Sequence, residues 1–333
     1  MKLAEITDRE AWDKWVNASS FGHPLQLWGW GETKRASGWT PVRLALIDGE
    51  TWVAAAQVLT WPIPKIGRPI AYIPRGPVGD PKDHGTRQLI AEIVKWARWE
   101  KAIYLRIEPA WQASSLGRGW KRARNSLQKH ETFTIDLRKS EDEILEQMSH
   151  KHRQYIRKSE RDGVSVVRAE PQDDMAAMID IYQQTAKRAG FGIHSNDYYA
   201  SLYLELGEHS YLYYAMYEGK PVAFLWLAAA GKTAYELYGG VVPAGADMKA
   251  NYCLKWQAIR DMKTAGFEIY DFNGRLNEGV SRFKEGFGPD ETDYVGTYDF
   301  PINLIAYHVW ENLWPLAKPI GRRLGSMARG VKK

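Results

Sequence analysis

Residues 269–288 read I-Y-D-F-N-G-R-L-N-E-G-V-S-R-F-K-E-G-F-G. The apolar start continues a buried strand that opens at Phe267 and breaks at Asn273-Gly274. A polar loop follows, then a short helical turn carrying Arg282, Phe283 and Lys284, which Gly286 and Gly288 end. Glycines on both sides let backbone come close to a ligand. Loops leaving strand ends are where α/β proteins keep their chemistry. On pattern alone, a glycine-rich connection with a solvated lysine is an equal alternative.

Upstream lies an α/β unit. Asn251–Lys263 has helical spacing, with Leu254, Ile259 and Met262 on one face. Tyr211–Tyr217, Val222–Ala228 and Ala234–Tyr238 read as successive strands. The first turn among them, Glu218-Gly219, echoes Asp48-Gly49 between the strands at Leu44–Ile47 and Val53–Ala55. In both places the order is apolar strand, acid-Gly turn, Val-Ala strand, with helices before and strand, helix, strand after. This implies a duplicated α/β (α+β) unit with mixed sheets flanked by helices. The boundaries expected are residues 1–137 plus a return over 303–333 for the first unit, and 138–302 for the second.

A chain of 333 residues holds two ordinary domains. Fifteen Trp and 18 Tyr exceed ordinary usage, and core packing accounts for most of them. The formal net charge of +5 suits a polyanionic partner without specifying one. A single cysteine, Cys253, excludes an internal disulfide and a cysteine-rich zinc site, and its helical setting reads as core. The charged first 15 residues lack the apolar segment of a signal peptide, and no run reaches 18 apolar residues. A cytoplasmic protein is therefore expected. The tail holds Arg322, Arg323, Arg329, Lys332 and Lys333. It reads as an ordinary basic terminus, with peripheral contact to anionic lipid as the alternative.

Other segments carry candidate sites. Lys34 ends a helical stretch rich in Trp, before Gly38. Pro74-Arg75-Gly76-Pro77 is a tight, rigid turn that holds Arg75. Glu108 closes the strand at Tyr104–Ile107, where a carboxylate serves as base, orienting group or cap. Ser140 and Glu143 form a capping box for a helix expected to run on through Ile156. Its second half clusters Lys151, Arg153, Arg157 and Lys158, a patch suited to phosphates or simply a solvated face. His150 and His152 are two apart and cannot share a helix face as metal ligands. There is no H-E-x-x-H, G-x-S-x-G, Walker A or Rossmann fingerprint.

Tyr270-Asp271-Phe272-Asn273-Gly274, Gly279-Val280 and Phe283-Lys284-Glu285-Gly286-Phe287-Gly288 resemble the FemABX family of tRNA-dependent ligases that build peptidoglycan cross-bridges. So do Tyr72–Pro77 (Y-x-P-R-G-P), Trp30–Lys34 (W-x-x-x-K), Lys151–Lys158 and Thr185–Phe191 (T-x-x-R-x-G-F). The resemblance implies two GNAT-like domains in tandem and no cofactor, with aminoacyl-tRNA as co-substrate. The acceptor would be UDP-MurNAc-pentapeptide or lipid II. A monomer of the compact FemX type, without the coiled-coil arm, is expected. It assigns Lys284 as the catalytic cation at the tetrahedral intermediate and Phe283 as a wall of its pocket. Lys34 and Arg188, with Lys187 as an uncertain neighbour of the latter, would reach the nucleotide diphosphate. Arg75, Tyr235 and Glu108 complete the substrate-binding candidates, and Lys151, Arg153, Arg157 and Lys158 are RNA-binding candidates. No protein base stands out; Asp271 and Glu108 are weak alternatives to assistance from the substrate. The competing functions are CoA-dependent N-acyl transfer on the same fold and non-catalytic RNA binding. The loop after Tyr238 lacks the coenzyme A pyrophosphate pattern, which argues against the first of these.

Overall fold

The computed structural model describes residues 1–63, 67–113, 116–170, 175–275 and 278–311. The basic tail and the greater part of the expected return at 303–333 lie outside them.

The first half runs β1 (Lys2–Glu5), α1 (Arg9–Ala18), α2 (Trp28–Arg35), β2 (Thr40–Asp48), β3 (Thr51–Pro62), β4 (Pro69–Arg75), α3 (His84–Trp99), β5 (Tyr104–Pro109) and β6 (Lys121–Arg122). The second runs β7 (Glu131–Asp136), α4 (Glu141–Gln147), α5 (His150–Arg161), β8 (Ser165–Arg168), α6 (Ala176–Ala189), α7 (Asn196–Leu206), β9 (Ser210–Tyr217), β10 (Lys220–Ala230) and β11 (Thr233–Val241). Then come α8 (Pro243–Asp247), α9 (Ala250–Thr264), β12 (Ile269–Asp271), α10 (Glu278–Glu285), β13 (Asp290–Asp293) and β14 (Tyr298–Pro301).

The described strands form two seven-stranded sheets. One has the order β1-β2-β3-β4-β5-β14-β6, the other β8-β9-β10-β11-β12-β7-β13. In each, the fourth and fifth strands are parallel and every other neighbour is antiparallel. The duplication expected from the two acid-Gly hairpins is thus the plan of the whole fold.

The second sheet is drawn entirely from residues 131–293, β7 to β13, whereas the first takes its sixth strand, β14, from beyond them. The boundaries at 137/138 and 302/303 therefore need correction: β7, placed with the first unit, belongs to the second sheet, and β14 to the first. The alternating burial of Phe133 and Ile135 reads equally well on either sheet, so local pattern cannot settle which partner they meet. Two buried groups fix the return of β14. Arg106 on β5 donates from Nε and Nη2 to the two carboxylate oxygens of Asp299 on β14, at 2.7 and 2.8 Å, and Tyr307 donates to the same carboxylate at 3.0 Å.

Three layers of apolar packing result. Leu89, Ile93 and Ala97 of α3 cover one face of the first sheet. Trp12, Val16, Tyr199, Leu202, Phe224 and Trp226 fill a shared layer in which α1, α2, α6 and α7 lie between the units. Ile156, Leu254 and Ile259 of α5 and α9 cover the far face of the second sheet. Cys253 is buried in that layer, as its setting implied.

The helix expected from Ser140 to Ile156 is two helices. The capping box of Ser140 and Glu143 forms, but the chain breaks at Met148, and Ser149 caps α5 by accepting from the His152 N–H. Arg153 turns back and donates from Nη1 to the carbonyls of Leu145, Glu146 and Met148 at 3.0, 3.1 and 2.8 Å, satisfying the open end of α4.

Candidate functional site

Two clusters form where β11 and β12 end. The first surrounds Lys34. Helix α2 packs against α7 because Gly29 has no side chain; a Cβ there would stand 1.9 Å from the Glu205 carbonyl oxygen. This approach brings the Lys34 ammonium to the Tyr198 hydroxyl at 2.7 Å, with the Trp30 and Tyr198 ring centroids at 4.4 and 4.7 Å. Burial lowers its pKa to about 8. Tyr198 also shares a hydrogen bond with Tyr238 of β11. Three residues on, the Val241 carbonyl accepts from Arg188 Nη2 at 2.9 Å. Lys34 and Arg188, far apart in sequence, therefore bracket the C-terminal part of β11. Lys187 is exposed beside them.

The second cluster holds Lys284. Its ammonium is buried and donates to the carbonyls of Phe272 and Gly274 at 2.7 and 2.8 Å. A lysine has three N–H donors, and no third acceptor is present among the described residues. Burial also brings this lysine to about 8, with the charge of Glu236 opposing the shift. Phe283, half-buried, packs against Tyr252 and Phe287 with ring centroids 5.0 and 5.4 Å apart.

Asn273-Gly274 breaks the strand as expected. Asn273 takes φ +55° and its N–H donates to Asp271 Oδ1 at 2.6 Å. Beside α10 opens a cavity of about 540 Å³ lined by Lys129, His130, Arg275, Arg282 and Glu285, among others.

Sequence reasoning did not find the groups that position this cluster. His152 Nε2 donates to the Phe283 carbonyl at 2.9 Å. Gly286 admits the imidazole, since a Cβ there would lie 1.8 Å from His152 Cε1. Glu236, Lys255 and Tyr270 form a buried network next to Lys284: Lys255 Nζ and Tyr270 Oη both donate to Glu236 Oε1, the second at 2.6 Å. A charged residue inside each of two apolar patterns, strand 234–238 and helix 251–263, was the available signal.

The remaining candidates lie elsewhere. Arg75 is buried at the junction of the units (φ +52°), donating to the Lys129 carbonyl at 2.6 Å with the Tyr294 ring centroid at 4.7 Å. Tyr235 packs at a tilt against His23, ring centroids 4.1 Å apart, and lines a cavity of about 640 Å³ between the units, toward the start of β11. Glu108 accepts from Leu127 N at 2.7 Å and Thr297 Oγ1 at 2.7 Å on Oε1, and from Tyr72 Oη and from Gln128 N at 3.2 Å on Oε2. Four donors fill its lone pairs, so this carboxylate ties the crossing segments together. Asp271 plays the matching part in the second unit, accepting from Thr132 and Tyr294 at 2.6 Å each. Burial raises its pKa despite these bonds. Of the basic patch, Arg153 closes α4, Lys158 pairs with Asp162, and Lys151 and Arg157 are exposed.

The paired sheets, each with one parallel strand pair at its centre, define a tandem GNAT-like acyltransferase fold. The Acetyltransferase (GNAT) domain model matches residues 146–285. The FemAB family model matches residues 7–118. The lipid II:glycine glycyltransferase of Staphylococcus haemolyticus (strain JCSC1435) is 24% identical over an alignment of 405 positions, covering 95% of this chain and 96% of the relative. The enzyme of the same name from Staphylococcus aureus (strain MRSA252) is 22% identical over 408 positions, again covering 95% and 96%. The crystal structure of FemX superposes with a TM-score of 0.85 at 20% identity, covering 94% of this chain and all of that one. The FemAB match over residues 7–118, the glycyltransferase relatives and the FemX superposition together support the FemABX family for this chain.

Proposed function

We propose that this protein is an aminoacyltransferase. It moves an aminoacyl group from aminoacyl-tRNA to a side-chain amine of a peptidoglycan stem peptide and so forms the cross-bridge. The acceptor is lipid II, the substrate in the names of the relatives, or its soluble UDP-MurNAc-pentapeptide precursor.

The observation that carries the reading is the setting of Lys284: a buried ammonium with two donors held on carbonyls at a strand end and no third acceptor among the described residues. An aminoacyl ester is already activated toward an amine, so positioning supplies much of the rate. A fixed cation at the developing oxyanion contributes about 2.7–4 kcal/mol, the range for oxyanion donors. Lys34 and Arg188 face the acceptor's diphosphate, and the cavity beside α10 suits the nucleotide end of the donor.

The test is mass spectrometry of the precursor after incubation with a mixed aminoacyl-tRNA pool. A gain of one amino-acid residue supports the proposal; no gain with every charged tRNA refutes it. The GNAT match over residues 146–285 favours one second reading, acyl transfer from coenzyme A. An acetyl mass gain when acetyl-CoA replaces the tRNA would favour it.

A further inference from the structure

The parallel contact between β11 and β12 is short. It pairs Thr233 with Ile269, Ala234 with Tyr270 and Tyr235 with Asp271. There β12 ends, while β11 continues along β10 to Val241. The two strands part immediately beyond Tyr235. In the first unit the equivalent strands stay paired to their last residues, Arg75 with Pro109. The first residue past the last pair in the second unit is Glu236. A register shift falls there too, since Leu227 pairs with Glu236 but Trp226 with Tyr238. Bulges of this kind re-aim side chains beside active sites.

The Glu236 carboxylate is asymmetric in its bonding. Lys255 and Tyr270 both donate to Oε1. Oε2 accepts from no described residue. Tyr235 and Tyr238, on either side, face the layer between the units, whereas Glu236 faces α9 and lies near Lys284. The carboxylate thus stands where the two strands cease to pair, between the face carrying Lys34 and Arg188 and the face carrying Lys284. Val241, which receives Arg188, is five residues further along β11, about 16 Å at strand spacing. An extended peptide of a few residues with a long side chain spans that distance.

We propose that Glu236 is the proton acceptor for the attacking amine, with Lys255 and Tyr270 as the residues that aim it. This rests on the aminoacyl-transfer reading above. The amine nitrogen attacks the ester carbonyl carbon; the C–N bond forms and the carbonyl π pair moves onto oxygen beside Lys284. The proton leaving nitrogen passes to Glu236 Oε2. The oxyanion then restores the carbonyl, the ester C–O bond breaks, and the departing ribose oxygen takes the proton from Glu236. Ester and amine become amide and alcohol, and the carboxylate is regenerated.

Two measurements test this. Calorimetry compares UDP-MurNAc-pentapeptide carrying a free side-chain amine with the same compound acetylated on that amine. Wild type should bind the free amine about tenfold more tightly or better, as a charge-assisted hydrogen bond implies, and Glu236→Gln should bind both alike. Single-turnover transfer by Glu236→Gln should fall about 10²–10⁴-fold, and formate should partly restore Glu236→Ala. The double variant Glu236→Gln/Lys255→Met leaves no unpaired buried ammonium and should show the same loss. Equal amine preference in wild type and Glu236→Gln overturns the proposal, as does transfer by the double variant within about threefold of wild type. A wild type that transfers nothing from aminoacyl-tRNA, yet shows the amine preference that Glu236→Gln loses, refutes the donor reading and supports Glu236 as the amine site.

Discussion

His152 Nε2 donates to the main-chain carbonyl of Phe283 at 2.9 Å, fastening α5 to α10 one residue before Lys284. Nδ1 faces Ser149 Oγ at 2.8 Å, so the neutral ring accepts there while donating at Nε2. Burial lowers its pKa and favours that neutral form. His152→Ala should free α10 and move the Lys284 ammonium. Because a displacement of about 1 Å costs on the order of 100-fold, kcat should fall about 10- to 100-fold with little change in KM for the precursor. Steady-state kinetics checks this, and an unchanged kcat would remove His152 from the site.

Replacing the cation itself has a larger effect. Lys284→Met should lower transfer by about 10²–10³-fold, the cost of one oxyanion donor, while leaving precursor affinity near wild type. The ammonium is needed charged, and burial brings it to about 8. The wild-type rate should therefore decline as pH rises through about 8. Lys284→Arg should carry that limb upward, because a guanidinium stays protonated. Stopped-time assays across pH 6–10, a span of about four units around the lysine range, read both effects.

Lys34 and Arg188 should act on binding. Lys34→Met and Arg188→Met should each weaken precursor affinity about 10- to 100-fold, the worth of a charge-assisted contact. Since burial holds Lys34 at about 8, wild-type affinity should also fall above that pH, whereas Lys34→Met should show no such fall. Titration calorimetry at two pH values decides it.

The returning strand β14 makes a prediction about stability. Asp299 is fully buried and takes both Arg106 donors. Asp299→Ala leaves the guanidinium without its main counter-charge and should cost about 3–5 kcal/mol, as loss of one partner of a buried pair does. Urea unfolding at neutral pH measures it. A loss below about 1 kcal/mol, the worth of a surface pair, would mean the bond does not hold β14 in place.

His23 should make the fold acid-sensitive. Complete burial, aided by Arg75, holds its pKa well below 6.5. As pH falls below 6.5, the unfolded chain binds a proton that the folded one refuses. Stability should then drop by up to about 1.4 kcal/mol per pH unit from this residue. Unfolding midpoints at successive pH values should decline more steeply for wild type than for His23→Gln.

Much of this was legible in the chain. The paired acid-Gly hairpins gave the duplication, because strand alternation and turn chemistry are local properties. The Phe283-Lys284 segment and the Asn273-Gly274 break could be read for the same reason. Other features depend on which distant surfaces meet. Nothing near Phe133 or Tyr298 reveals which sheet their strands join, since a half-buried strand pairs equally well with either. Arg75 and Glu108 resembled exposed or catalytic groups until the crossing segments filled their hydrogen bonds. Local sequence therefore determined the elements, the repeat and the residues that begin the candidate site. Only the tertiary structure decided the return of β14, the placing of Lys34 and Arg188 about the end of β11 and the setting of Glu236 beside Lys284, because burial and pairing over more than a hundred residues are properties of the packed whole.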